Sequence, residues 1–267
     1  MADKYTSMIA LVLDEPLDEV GPVVTAAGQS KDLDRAAPVR GAGEAAYEVH
    51  WGGRMQKAVV RALADERDGA PLLRTEAYVG DDGLAHGMQR QAQLLQALAR
   101  QLRGRIQGVR DLTGQADRDA AWMNRLAIGA VQHDDGIVTK ADGEGTWWVR
   151  THGASRFDVP DLELYGLNAA QVSAAEVALT HVHDLLLRGG LRAELSLPDG
   201  TLVRLIPVLE AWHHVPLDWP GVGKAGQQRG PGLDGPRATL SLLHKPRLGR
   251  YKTDLDGVLE RLPASTT

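Results

Sequence analysis

The 267-residue chain contains no cysteine. This absence excludes a disulfide scaffold, a zinc site built on thiolates, an iron–sulfur cluster and a cysteine nucleophile. The chain also has no apolar run of about 18 residues, the length that a membrane-spanning helix requires. Aromatic residues make up 4% of the chain, with a single phenylalanine, so leucine, valine and alanine must build most of the core.

The chain also lacks a large net charge. Lys and Arg number 30 against 35 Asp and Glu, which gives a formal net charge of −5. Nucleic acids are bound largely through neutralisation of their phosphates by Lys and Arg, so the overall charge offers no such attraction. Residues 221–261 are locally basic, with eight basic against four acidic side chains. Nucleic-acid binding by this C-terminal region is therefore kept only as a subordinate hypothesis.

The N-terminal sequence gives no sign of export. The apolar stretch at residues 8–13 is short and is followed by Asp14 and Glu15. A secretory signal has a longer apolar core and ends at a small-residue cleavage site. We therefore expect a cytoplasmic protein that does not bind membranes.

Apolar periodicity gives the predictions of secondary structure. Helical spacing predicts helices at residues 54–67, 87–107, 116–124 and 168–188, and apolar runs predict strands at 8–13, 46–51, 72–79, 126–131, 191–197 and 201–207. Strands and helices alternate early in the chain and hairpins follow late. This order predicts an α+β fold in which mostly antiparallel sheets are covered by helices.

A turn at residues 134–136 marks a candidate domain boundary. We expect an N-terminal α/β half at residues 1–134 and a C-terminal α+β half at residues 135–267. A hairpin within one domain is the alternative interpretation of the turn. Residues 217–236 are rich in Gly and Pro and lack apolar periodicity, which indicates a surface loop in the C-terminal half.

His181 and His183 resemble part of the His-x-His-x-Asp-His signature of metallo-β-lactamase-type hydrolases. The match is incomplete, because Asp184 comes one residue early and Leu186 replaces the third histidine. Both histidines also lie in a predicted helix, where residues two apart do not face each other. We therefore expect them to be structural, with a metal site as the alternative if the fold brings other ligands alongside.

Residues 147–164 form the most informative stretch of the sequence. A strand is predicted to end at Thr151, and Gly153 permits a sharp or left-handed turn. Phe157 would then anchor the loop in the core. A second strand follows Pro160, in which alternate residues share one face of the sheet.

Four polar side chains of this stretch are brought together by that geometry. Asp161 and Glu163 share a strand face, and the turn places His152 and Arg156 near them. An arginine paired bidentately with a carboxylate is a strong and directional interaction. The four residues are therefore a candidate cluster, either locking a corner of the sheet or serving binding or catalysis.

The order Thr-His-Gly, Phe and Pro-Asp-Leu-Glu within residues 147–164 resembles a segment of uncharacterised bacterial domain families. The resemblance implies an α+β accessory or immunity-type protein. It implies no catalytic residue, because the families offer none to carry over.

Three functional hypotheses follow. The first is a non-enzymatic protein-binding protein, with Arg156, Trp212 and Trp219 as binding residues, since Trp and Arg are enriched at binding hot spots. The second is a hydrolase that uses the four-residue cluster, with metal assistance if the histidine-bearing helix lies alongside it. The third is nucleic-acid binding by the basic C-terminal region. No phosphate-binding loop and no Gly-x-Ser-x-Gly elbow occurs in the sequence, and we expect no cofactor.

Overall fold

A computed structural model describes residues 7–28, 35–39, 46–50, 57–77, 83–190, 192, 194–196, 202–207, 237–244 and 252–253. The chain separates into two compact units, Met1–Gly136 and Ile137–Thr267. Each unit is built on its own sheet, and the fold class is α+β, as predicted. In the described parts of the chain, no helix is long and apolar enough to cross a bilayer.

The first unit is a seven-stranded antiparallel sheet with helices. Its strands are β1 (Ser7–Leu13), β2 (Arg35–Pro38), β3 (Ala46–His50), β4 (Lys57–Ala64), β5 (Pro71–Ala77), β6 (Ile106–Asp111) and β7 (Ala116–Arg118). Its helices are α1 (Gly21–Gly28), α2 (Gly83–Gln101), α3 (Ala120–Ala127) and the short α4 (His133–Gly136). The strand order is β2-β3-β4-β5-β1-β6-β7.

Helix α2 packs on one face of this sheet. Gln91 on α2 is fully buried, and its side-chain amide donates to the Ser7 carbonyl at 3.2 Å and to Thr75 Oγ1 at 3.0 Å. Thr75 and Ile9 are paired across β5 and β1, so both belong to the face that α2 covers. The apolar stripe of α2 follows from the helical spacing in the sequence.

The other face of the sheet carries paired charges, centred on Arg110. This side chain forms ion pairs with Asp65, with Asp68 at 3.0 Å and with Asp117 at 2.9 Å. Asp65 and Arg110 are both largely buried, whereas Asp68 and Asp117 are mostly exposed. The arginine therefore joins the turn after β4 to strands β6 and β7.

The same network lowers the pKa of three carboxyls. Burial raises the pKa of Asp65 and of Asp117. Hydrogen bonds from Arg67 and Arg110 lower the pKa of both carboxyls by more than burial raises it, so each pKa lies below its usual value. For Asp68, the hydrogen bond from Arg110 lowers the pKa. The network therefore favours the ionised forms of all three acids.

We expect the first unit to lose stability as the pH falls below about 4. A carboxyl whose pKa is lower in the folded state contributes stability above its unfolded pKa of roughly 3.9, and loses it as the pH falls through the folded value. Urea unfolding between pH 2.5 and 6 measures this dependence. In the Asp65→Asn chain the dependence should be shallower, and an unchanged pH dependence in that variant would count against the network.

The prediction of a helix at residues 54–67 is wrong. Residues 57–64 of that stretch form β4, which pairs with β3 and β5, and residues 66–67 lie in the turn that follows. Ala58 and Val60 lie on one face of the strand and are both fully buried. Ala58, Val59, Ala62 and Leu63 have the spacing of a helix, but Ala58, Val60 and Ala62 also alternate as in a strand. Pairing with two neighbouring strands decides the outcome.

Three further boundaries differ from prediction. The helix predicted at 87–107 is α2, which ends at Gln101, and residues 106–107 belong to β6. Residues 116–124 divide into β7 and the start of α3, and the predicted strand at 126–131 is the end of α3 and the loop that follows. Asp119 begins the helix, because its carboxylate accepts from the Trp122 backbone N–H at 2.7 Å. This side-chain cap separates the strand from the helix.

The second unit contains a second sheet. Its elements are β8 (Val138–Glu144), β9 (Thr146–His152), β10 (Asp161–Leu167), α5 (Val172–Gly189), β11 (Glu194–Ser196), β12 (Leu202–Pro207), β13 (Arg237–His244) and β14 (Lys252–Thr253). The strand order is β11-β12-β13-β10-β9-β8, with β14 beside β13. Among the described strand pairs, β10–β13 is parallel and the others are antiparallel.

Helix α5 covers the apolar face of this sheet. Leu162 and Leu164 of β10 point into the core, as predicted, where they pack with Leu179 and Val182 of α5. The predicted start of the helix is confirmed: Asn168 caps a single 3-10 turn that leads into α5. The consequence is that the alternate residues of β9 and β10 lie on the face opposite the helix.

Candidate functional sites

The four polar residues predicted to form a cluster lie in the second unit and are all buried. His152 ends β9, Asp161 begins β10, and Glu163 follows two residues later, so the two carboxylates share the face opposite α5. Arg156 lies in the intervening 3-10 turn, which is entered through Gly153 in the left-handed region at φ 105°. His152 is 1% exposed, Asp161 6%, and Arg156 and Glu163 0%.

The contacts of these residues hold the turn and the neighbouring strands together. Asp161 Oδ1 accepts from the Ala154 backbone N–H at 3.0 Å, which fixes the turn. Arg150 Nε donates to His152 Nε2 at 3.1 Å, and Arg150 also pairs with Asp142 on β8. At these exposures the four side chains present almost no surface to solvent.

Trp148 organises the aromatic part of the same face. Its ring stacks on Tyr165 with centroids 5.5 Å apart, and the Arg150 guanidinium lies 3.9 Å from its centroid. The indole N–H donates to Glu163 Oε2 at 3.2 Å. Buried polar groups that find such partners fix a particular packing arrangement, so these contacts account for the buried position of Glu163.

Thr151 connects the sheet to the histidine-bearing helix. Its hydroxyl accepts from the Leu162 backbone N–H at 2.8 Å and lies 2.9 Å from His183 Nε2. Thr151 and His183 are both fully buried. The helix therefore lies alongside the sheet, but His183 meets the opposite face from His152, because neighbouring strand residues point in opposite directions.

The predicted metal alternative finds no ligand set in the described residues. His181 is half-buried and His183 is buried on the same helix, and no group of three or more His, Asp or Glu that could hold a metal ion occurs in the part of the chain described. Trp212 and Trp219, the predicted binding residues, lie outside the described residues. Arg156, the third, is closed from solvent.

A surface that the sequence did not single out lies along α3 in the first unit. An open depression of about 650 Å³ is lined by Asp117, Arg118, Asp119, Ala121, Trp122 and Arg125. Trp122 is 5% exposed, and the Arg118 guanidinium lies 5.1 Å from the centroid of its ring. Residues at helical spacing share one stripe, so Ile128, seven residues after Ala121, extends the same stripe beyond the helix end.

Ile128 is 79% exposed, the large apolar side chain that stands out in the described residues. Large side chains of this type are usually buried. Together, the depression and Ile128 form what we call the α3 surface. It combines two arginines, a tryptophan and an exposed aliphatic side chain, and both arginine and tryptophan are enriched at binding hot spots.

The loop that carries Ile128 is held in place by Arg125. The two terminal guanidinium nitrogens of Arg125, Nη1 and Nη2, donate to the Asp135 carboxylate at 2.6 Å, and Nη1 also donates to the Ala130 carbonyl at 3.1 Å. The hydrogen bond to Asp135 raises the pKa of Arg125, which keeps it charged. A bidentate pair of this kind is geometrically specific, so Ile128 is presented on a fixed support.

Comparison with known proteins adds nothing to this geometry. No protein-family model, no curated protein and no solved structure matches the chain. Function is therefore inferred from the side chains and their surroundings.

Proposed function

We propose that the protein is a non-enzymatic binding protein that captures another protein through the α3 surface. The observation that carries the proposal is the 79% exposure of Ile128 beside a depression lined by Trp122 and Arg118. Covering an exposed aliphatic side chain contributes about 1.5–3 kcal/mol. The surface thus offers a partner both an apolar contact and a recess.

The support beneath Ile128 favours binding in a second way. Association requires mobile groups at the interface to become ordered, which costs about 0.5–1.5 kcal/mol for each flexible side chain. The contacts of Arg125 with Asp135 and Ala130 order the loop before a partner arrives. A preorganised loop reduces that cost.

The buried cluster of the second unit supports the same proposal. A general base must come within hydrogen-bond reach of its substrate. His152, Asp161 and Glu163 are closed from solvent, and their described contacts are internal to the unit. We propose that the cluster maintains the second sheet, in keeping with the accessory role that the resemblance at residues 147–164 implies.

Selection of a displayed peptide library on the full chain tests the proposed function. We expect the native chain to enrich a set of related peptides. For Ile128→Asp, we expect the dissociation constants of these peptides to rise about 10–100-fold, because the lost apolar burial corresponds to one to two factors of ten.

Thr25→Asp is the matched control. Thr25 is also β-branched and exposed, and it lies on α1 of the same unit, so the substitution adds the same charge to a different helix. Peptide binding should survive in this variant. A library that enriches no peptide, or peptides bound equally by the Ile128→Asp chain, would refute the proposed function.

A further inference from the structure

Two hydrogen-bond donors at the α3 surface have no acceptor in the described residues. They are the indole N–H of Trp122 and the Nε–H of Arg118, both closed from solvent. The Arg118 guanidinium lies over the ring of Trp122, and its Nη2 donates to the Asp134 carbonyl at 2.9 Å. A buried donor without an acceptor is unfavourable, so a ligand that supplies an acceptor here gains affinity.

The acids that line the depression do not serve these donors in their described contacts. Asp117 accepts from Arg110 at 2.9 Å and from Arg67 at 3.2 Å. Asp119 accepts from the Trp122 backbone N–H as the cap of α3. These contacts use Asp117 Oδ1 and Asp119 Oδ1, and among the described residues neither carboxylate serves the two donors.

Building on the proposed function, we propose that the partner places an Asp or Glu carboxylate against Trp122 and Arg118 and an apolar side chain against Ile128. An indole nitrogen only donates, and a guanidinium binds carboxylates through parallel N–H groups. Asp117 and Asp119 at the rim of the depression would repel a polymer that carries many phosphates. A protein segment can bring a single carboxylate together with an apolar side chain for Ile128.

The distance along α3 sets the spacing of the two contacts. Six residues separate Trp122 from Ile128, which is an axial rise of about 9 Å with the two positions turned about 120° apart around the helix, so the two contacts lie more than about 9 Å apart. An extended peptide rises about 3.3 Å per residue, so an acid and an apolar residue at least three positions apart are needed to reach both contacts. Because the donors are closed from solvent, the Arg118 side chain must rotate when the carboxylate enters.

Nuclear magnetic resonance of the indole N–H groups tests this site directly. The full chain is labelled with ¹⁵N, and Trp122→Phe assigns the Trp122 signal. The probe is a pool of capped peptides with Asp or Glu about three to five residues from Leu or Ile, at millimolar concentration. We expect the Trp122 indole proton to shift downfield, as it does when it gains an acceptor.

The internal control is Trp148, whose indole N–H already donates to Glu163 and should not move. The matched probe replaces every Asp and Glu by Asn and Gln, and we expect at least a tenfold weaker response. An unmoved Trp122 signal, an equal response to the amide pool, or an equal response to inorganic phosphate would overturn the carboxylate proposal.

Failure of this inference is distinct from failure of the proposed function. One outcome is that selected peptides bind the native chain and not the Ile128→Asp chain, yet show no enrichment of Asp or Glu. That result would overturn the carboxylate site and leave protein binding in place. The absence of any Ile128-dependent peptide would remove both.

Discussion

Replacement of Arg110 by leucine is expected to lower the free energy of unfolding of the first unit by about 3–5 kcal/mol. The substitution leaves the Asp65 carboxylate, whose side chain is 4% exposed, without its buried cation. Asp68 and Asp117 lose their Arg110 ion pairs at the same time. Asp65 keeps a backbone hydrogen bond from Arg67 and an ion pair with Arg67 at 3.5 Å, so the loss of its closest, buried cation is the costliest of these changes. Urea or thermal unfolding measures the sum.

Arg204→Leu provides the matched control. Arg204 pairs with Glu194 across β11 and β12, but both side chains are about half exposed, at 53% and 47%. Ion pairs of this kind contribute about 0–1 kcal/mol because solvent screens them. If the two leucine substitutions destabilise the chain equally, the buried network around Arg110 does not have the role assigned to it.

The second large effect is expected from Thr151→Val, which preserves shape and removes the hydroxyl. The Leu162 backbone N–H loses its acceptor at 2.8 Å, and His183 loses its contact at 2.9 Å. Buried groups that lose a partner cost about 1–3 kcal/mol each. We therefore expect the second unit to lose about 2–4 kcal/mol of stability, measured by equilibrium unfolding.

Thr151→Ser separates the hydroxyl from the methyl group. This variant keeps the hydrogen-bonding oxygen and loses one carbon, for which about 1 kcal/mol is expected. A serine variant as unstable as the valine variant would mean that packing of the methyl group, rather than the hydroxyl, joins β9 and β10 to α5.

The local structure of residues 147–164 was predictable because short-range rules determine it. Strand alternation placed Leu162 and Leu164 in the core, and the requirement for glycine in a left-handed turn located the corner at Gly153. The contact between Thr151 and His183 was not predictable in the same way. It depends on how α5 crosses the sheet, which no local pattern encodes.

The error at residues 54–67 has a related cause. The apolar residues of β4 fit both the spacing of a helix and the alternation of a strand, and pairing with the neighbouring strands decides between the two structures. The presence of consecutive β-branched residues, Val59 and Val60, was the local signal that favoured a strand. The helical spacing of apolar residues over the longer range 54–67 outweighed this local signal.

The α3 surface was missed because residues 126–131 were predicted to be a strand. In that interpretation, Ile128 would be a core residue and Trp122 would have no special position. One signal was available: Asp119 before Ala-Ala-Trp is a typical cap at the start of a helix. The high exposure of Ile128 follows from tertiary structure and could not be derived from its residue type.

The most direct test of the account compares the affinity of a library-selected peptide for the Ile128→Asp chain and for the His152→Gln chain, each shown to be folded by circular dichroism. If binding takes place at the α3 surface, Ile128→Asp weakens it about 10–100-fold. His152→Gln changes it less than about threefold. The reverse order, with binding lost in the His152→Gln chain and retained in the Ile128→Asp chain, would contradict the account.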